Sequence, residues 1–220
     1  MAELVGAKQL IPERKRQIAL ALYGIPECIK FGDFTLASGQ KSPYYLDLRL
    51  LISRTTEQRL LADAYAEILE AVEMDRLVGI PEAALDMAAL VGDRLGMPRI
   101  GIRKQAKDHG IGKRLYGIRE PGMRVVMLED VMTTGGSMID VANYMKEEGE
   151  LNVFGGVVAV DREQGGPANM AAAGYGSTSL LTVSNIIEVL KEDGLLAVDF
   201  FEIVTDYLAE QRAKLDQGIA

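Results

Sequence analysis

Over residues 124–145 the sequence reads RVVMLEDVMTTGGSMIDVANYM. An unbroken apolar run at 125–128 leads into two acids, then a loop of hydroxyls and glycines, then helical spacing at 137–148. A short apolar run without alternation suits a strand buried on both faces, and a parallel sheet covered by helices buries a strand that way. The exchange recurs along the chain. Strand-like runs at 76–80, 99–103 and 153–160 alternate with helix-like stretches at 84–95 and 165–173, and helical spacing also marks 13–23 and 56–72. Thr55 with Gln58 has the form of a capping box opening the last of these. The pattern predicts an α/β fold with a parallel sheet flanked by helices. Residues 29–48 are turn-rich and β-prone, as a small accessory element would be, and 199–216 reads as an amphipathic closing helix.

Composition narrows the class. The 220 residues suffice for one large domain, and 48% hydrophobic with 25% charged residues is the balance of a soluble globular chain. No apolar run reaches the roughly 18 residues of a membrane span, and the N-terminus lacks the pattern of a secretory signal. With one cysteine, Cys28, no internal disulfide can form. The expectation is a cytoplasmic protein without a membrane partner. A net charge of −8 argues against nucleic-acid binding, which needs many cations facing phosphates. Residues 103–119 are nevertheless locally basic, which suits a small polyanion.

In an open parallel sheet, ligands sit at the carboxyl ends of strands. At the end of the 125–128 run stand Glu129 and Asp130, followed by Thr133, Thr134, Gly135, Gly136 and Ser137. Glycines let backbone N–H groups approach a ligand, and the first turn of a helix offers unpaired donors with partial positive charge. Three hydroxyls add further donors, which makes the loop a cradle for phosphate. The adjacent acids would repel a phosphate but accept hydrogen bonds from a sugar diol, so a ribose carrying a 5-phosphate satisfies both parts. A plain turn with a helix cap would explain the loop alone but leaves the paired acids without a reason.

Residues 125–137 resemble the 5-phosphoribosyl-1-pyrophosphate (PRPP) motif of the type I phosphoribosyltransferases. The resemblance implies a Rossmann-like parallel sheet flanked by helices with a small hood. It implies one domain over 1–220, with the hood largely from 1–50 plus part of the C-terminal region and the core at about 55–190. It also implies that Glu129 and Asp130 hold the ribose hydroxyls, Asp130 taking part in catalysis, while Thr133–Ser137 hold the 5-phosphate.

Further segments resemble the orotate phosphoribosyltransferases, with similarity from about residue 31 to about 190. RKQAKDHGIGKRLYG at 103–117 is similar to their mobile catalytic loop. Arg103, Lys104, Lys107, His109, Lys113 and Arg114 concentrate positive charge where a departing pyrophosphate gathers negative charge, and Gly110, Gly112 and Gly117 leave freedom to move. The resemblance implies that Lys107 and His109 reach a pyrophosphate in the partner subunit of a homodimer with shared sites, with Asp108 orienting them. DREQGG at 161–166 supplies Arg162, whose guanidinium can grip the carboxylate of orotate with two hydrogen bonds. A salt bridge to Asp161 or Glu163 is its alternative role. Thr133 is a second candidate contact for orotate. FTLASGQKSPYYLDLR at 34–49 resembles the segment that helps cover the base, with Ser38, Gly39, Lys41 and Ser42 as candidate contacts and Phe34 and Tyr44 as aromatic or core residues.

Two positions depart from the pattern. Ala37 and Ala83 stand where many or some members carry lysine, and Glu82 and Asp86 add negative charge beside the second. Backbone amides from 83 to 85 remain candidate anion donors there. The single histidine has no partners at zinc-like spacing, and the expected cofactor is Mg2+ held mainly by PRPP oxygens and water. The reading is an orotate phosphoribosyltransferase with small-molecule substrates, in a chain without room for a further decarboxylase domain. The alternatives are a phosphoribosyltransferase for another base and a non-catalytic PRPP-binding regulator.

Overall fold

In the computed structural model, residues 4–36, 39–105 and 114–217 are described. Ala37, Ser38, Lys107, Asp108, His109, Gly110, Gly112 and Lys113 fall outside them. Among the described residues no helix is long and apolar enough to cross a membrane.

The chain opens with α1 (Pro12–Tyr23), whose proline sits in the first turn, where a missing N–H costs nothing. A hairpin of β1 (Ile29–Thr35) and β2 (Lys41–Leu46) follows, and a 3-10 turn at Leu48–Ser53 leads into α2 (Thr55–Leu69). Then come β3 (Arg76–Gly79), α3 (Ala84–Leu95), and the two-residue strands β4 (Gly101–Ile102) and β5 (Leu115–Tyr116). The remainder is β6 (Arg124–Met132), α4 (Gly136–Gly149), β7 (Asn152–Asp161), α5 (Gly166–Ala172), β8 (Gly176–Thr182), α6 (Val183–Glu192) and α7 (Val198–Asp216).

The main sheet is parallel, in the order β3-β6-β7-β8. Alternation along β6 divides the interior. Val126 and Leu128 join α1, α2, α3 and α6 on one face, while Val125 and Met127 join α4 and α5 on the other. The unbroken apolar run at 125–128 therefore has the cause inferred from it: each side chain has a helical layer to meet.

Several expectations need correction. The run at 99–103 forms no full strand. One parallel bridge joins Arg99 to Leu77, and Gly101–Ile102 pairs antiparallel with Leu115–Tyr116, forming the stem of the basic segment. β8 and α6 carry no period that separated them in the sequence. The capping box at Thr55 is absent. Thr55 lies inside α2, its N-cap is Arg54, and Arg54 pairs through its guanidinium with Glu57 at 2.6 Å. The capping box lies at α6 instead, where the Thr182 hydroxyl accepts from the Asn185 N–H.

Candidate active site

β6 runs past the two acids to Met132, so Glu129 and Asp130 stand on the strand near its carboxyl end. Side chains alternate there. Glu129 turns inward and is 6% exposed, while Asp130 is half-buried. The Glu129 carboxylate accepts from the Asp130 N–H at 3.0 Å and from the Ser137 hydroxyl at 3.1 Å. Asp130 accepts from the Val131 N–H at 2.8 Å. Behind them the buried Tyr65 hydroxyl of α2 donates to the Glu129 carbonyl at 2.6 Å and pins the strand end from below. Burial, and then the neighbouring Asp130, hold the Glu129 carboxyl well above the ordinary carboxylate range. The pair thus avoids two full adjacent charges until hydroxyls or a cation reach it.

The loop after β6 turns at Gly135, whose φ of 78° lies in the left-handed region. A Cβ there would come within 3.1 Å of Met170 Cγ and 3.2 Å of the Gly166 carbonyl. Glycine both makes this turn and lets the loop lie against α5. Asn169 of α5 donates to the Thr134 carbonyl at 3.0 Å, fixing the loop from its other side. No side chain caps α4, and Gly136 and Ser137 in its first turn are exposed. The first-turn amides of α4 therefore open toward solvent beside two threonine hydroxyls, the requirement for holding a phosphate.

Register brings the base-selecting candidate to the same edge. Met132 of β6 pairs with Asp161 of β7, and the Arg162 N–H donates to the Met132 carbonyl at 2.9 Å. Arg162 is consequently a lateral neighbour of Thr133. Its side chain is buried at 7% exposure and makes a salt bridge with neither Asp161 nor Glu163. The guanidinium lies 4.8 Å from the Tyr44 ring centroid, and donates to the Tyr44 hydroxyl at 3.4 Å and to Ser42 Oγ at 3.2 Å. Hydroxyls and an aromatic face thus orient it, and no carboxylate among the described residues pairs with it. Glu163, at φ 59°, is held instead by the Ser184 N–H at 2.7 Å and by Arg212 of α7 at 2.5 Å. Asp161 accepts from the Glu163 N–H at 2.9 Å, and burial pushes its carboxyl up to about 6.

The basic segment is described only at its ends. Arg103 lies 5.0 Å from the Tyr116 ring, and Lys104 is exposed. Arg114 is not a free cation. It donates to Asp140 of α4 at 3.1 Å and to the Arg103 carbonyl at 3.0 Å, and it lies over the Tyr144 ring at 4.6 Å. The stem is thereby fastened to the helix whose first turn forms the cradle.

The loop after β3 is also at this edge, since the Ile80 N–H donates to the Leu128 carbonyl at 2.8 Å. Gly79 is required there, because a Cβ would fall 2.4 Å from the Ala84 carbonyl oxygen. Two of the three candidate amide donors are occupied: Ala84 donates to the Ile80 carbonyl at 3.2 Å and Leu85 to that of Glu82 at 3.4 Å.

Sequence reading missed Tyr65, Tyr207 and Gln164. Gln164 donates to the Tyr207 hydroxyl at 2.7 Å, and Tyr207 stands edge-on to Tyr44 at 6.0 Å. Helical spacing places Tyr65 and Tyr207 in helices but cannot say which loop each helix backs. Phe34 packs with Tyr45 at 5.8 Å, while Tyr44 is a core residue that also meets Arg162.

No family model matches the chain. It is 39% identical over 163 residues to an orotate phosphoribosyltransferase of Pyrococcus abyssi, covering 73% of this chain and 89% of the relative. Among solved structures it is similar to orotate phosphoribosyltransferase from Aeropyrum pernix, with a TM-score of 0.67, 26% identity, and 80% and 99% of the two chains covered. It is also similar to the UMP synthase of Leishmania donovani, with a TM-score of 0.81 and 30% identity over 89% of this chain, which spans 42% of that protein. With its acids, glycine loop and buried arginine gathered at one sheet edge, the chain belongs to the orotate phosphoribosyltransferase family.

Proposed function

We propose that the protein transfers the 5-phosphoribosyl group of PRPP to orotate, releasing pyrophosphate and forming orotidine 5′-phosphate. The observation that carries this reading is the buried Arg162 guanidinium, with no acidic partner among the described residues, beside the Glu129–Asp130 pair and the open first turn of α4. That juxtaposition suits a ribose phosphate and a carboxylated base held side by side.

The 5-phosphate is received by Thr133, Thr134, Gly135, Gly136 and Ser137, and the ribose diol by Glu129 and Asp130. The carboxylate of orotate meets Arg162, with Thr133 at the other side of the ring. As the bond from C1 to pyrophosphate stretches, positive charge develops on the sugar beside Asp130, and a ring nitrogen of orotate attacks the opposite face. Arg103, Lys104, Lys107 and His109 stabilise the charge gathering on the departing pyrophosphate, the last two reaching the partner subunit of a homodimer. Positioning and preorganised charge carry the rate, and the step uses no covalent enzyme intermediate.

The carboxylate pair also fits Mg2+, a hard ion that keeps most of its shell as water and substrate oxygens. When bound, it neutralises the pyrophosphate charge. In this reading the ion is carried chiefly by PRPP oxygens and water. We place the enzyme in the cytoplasm.

The test is product formation from orotate with PRPP and Mg2+, with purine bases offered in parallel. Orotidine 5′-phosphate should form and purine nucleotides should not. Turnover of a purine alone would move the assignment to another base, and PRPP binding without turnover of any base would make the protein a regulator.

A further inference from the structure

A cavity of about 250 Å³ lies between the 3-10 turn at Leu48–Ser53, α2 and the start of α3. Asp130 lines it, as do Glu82, Ala83, Ala84 and Asp86. The carboxylate assigned to the ribose diol therefore opens onto this space. In PRPP the pyrophosphate leaves from C1, the carbon next to the diol, so a ribose held by Asp130 carries its pyrophosphate into the cavity or to its mouth. The site is hostile to such a ligand. Glu82, Asp86 and Asp130 are all acids, and the Ala84 and Leu85 amides already have carbonyl partners. Among the described lining residues the cation is Arg49.

Resting on the function proposed above, we propose that Arg49 grips the pyrophosphate of PRPP and supplies the charge that Ala83 does not. Asp47 holds one edge of its guanidinium, accepting from Nε at 2.7 Å and from Nη2 at 2.8 Å. The fork is thus oriented in advance, and its other edge has no partner among the described residues. That edge matches two oxygens of a phosphoryl group. The Arg49 side chain keeps 66% of its surface exposed, so it is within reach of a ligand, and replacing it leaves the core intact.

The experiment is calorimetry with two separate probes, inorganic pyrophosphate with Mg2+ and ribose 5-phosphate, on the wild type, Arg49→Gln and Arg49→Lys. A charged hydrogen-bonded contact corresponds to roughly ten- to hundredfold in affinity. Arg49→Gln should lose that factor for pyrophosphate and keep its affinity for ribose 5-phosphate within about twofold, and Arg49→Lys should recover part of the loss. Unchanged pyrophosphate affinity in Arg49→Gln, equal loss of both ligands, or no pyrophosphate binding by the wild type would each overturn the assignment. Absence of ribose 5-phosphate binding by the wild type would instead strike the parent reading.

Discussion

Arg162 concentrates the specificity argument in one side chain. A buried guanidinium without a carboxylate is costly unless a ligand completes it, and Ser42 and Tyr44 give it hydroxyls but no countercharge. Arg162→Gln should raise KM for orotate about ten- to hundredfold and leave KM for PRPP nearly unchanged, as initial rates at varied substrate will show. Asp161 makes a different prediction. Burial pushes its carboxyl up to about 6, above the ordinary aspartate value of about 4, so the folded state binds the proton more tightly. Stability from this group is therefore greatest below pH 4, falls as pH rises toward 6, and stays reduced above. Asp161→Asn removes that dependence while its amide oxygen still accepts from Glu163. It should be more stable than wild type at pH 7.5 by about 2–3 kcal/mol and no more stable at pH 4, by denaturant titration at each pH. Sequence singled out Arg162 because a guanidinium suits a carboxylate, and the structure puts that residue buried at the strand edge beside Thr133. It could not tell that Glu163 belongs to Arg212, since that contact spans 49 positions.

At the scale of elements, the legible parts were those where periodicity and local chemistry agree. β6, the glycine loop and α4 form such a unit, and Gly135 is its hinge. Gly135→Ala puts a Cβ into a left-handed turn and against Met170 and Gly166. It should cost about 1–3 kcal/mol of stability and raise KM for PRPP, by denaturant titration and steady-state rates. The illegible parts were those where tertiary context decides. The run at 99–103 looked like a strand but has only one sheet neighbour at Leu77, because the chain leaves to build the stem with 115–116. β8, with Ser177, Thr178 and Ser179 in a parallel edge strand, lacks the apolar run that marks its neighbours. At α2 the Thr55–Gln58 pattern lost to the Arg54–Glu57 pair one residue earlier.

For the whole molecule, the sequence implied a hood from the N-terminal segment and part of the C-terminus, and specific contacts tie these pieces together. Gln40 donates to Gln211 at 2.8 Å, Tyr44 meets Tyr207, and Gln164 reaches the same tyrosine. α7 thus straps the hairpin to the loop carrying Arg162. Lys107 and His109 lie outside the described residues, and their proposed reach into a partner subunit is tested by mixing inactive chains. If the sites are shared, Lys107→Ala and Asp130→Asn should each be severely impaired alone and recover activity when mixed, because a mixed dimer would keep one site intact. Absence of recovery in a mixture that does exchange subunits counts against sharing.

Everything proposed for this site requires a ribose phosphate to settle where β6 gives way to α4. Titration calorimetry of PRPP with Mg2+ tests this directly, using the wild type alongside Asp130→Asn. Saturable one-site binding is predicted for the wild type, with a loss on the order of tenfold or more in the variant. No heat from the folded wild type, or equal affinity in the two proteins, would contradict it.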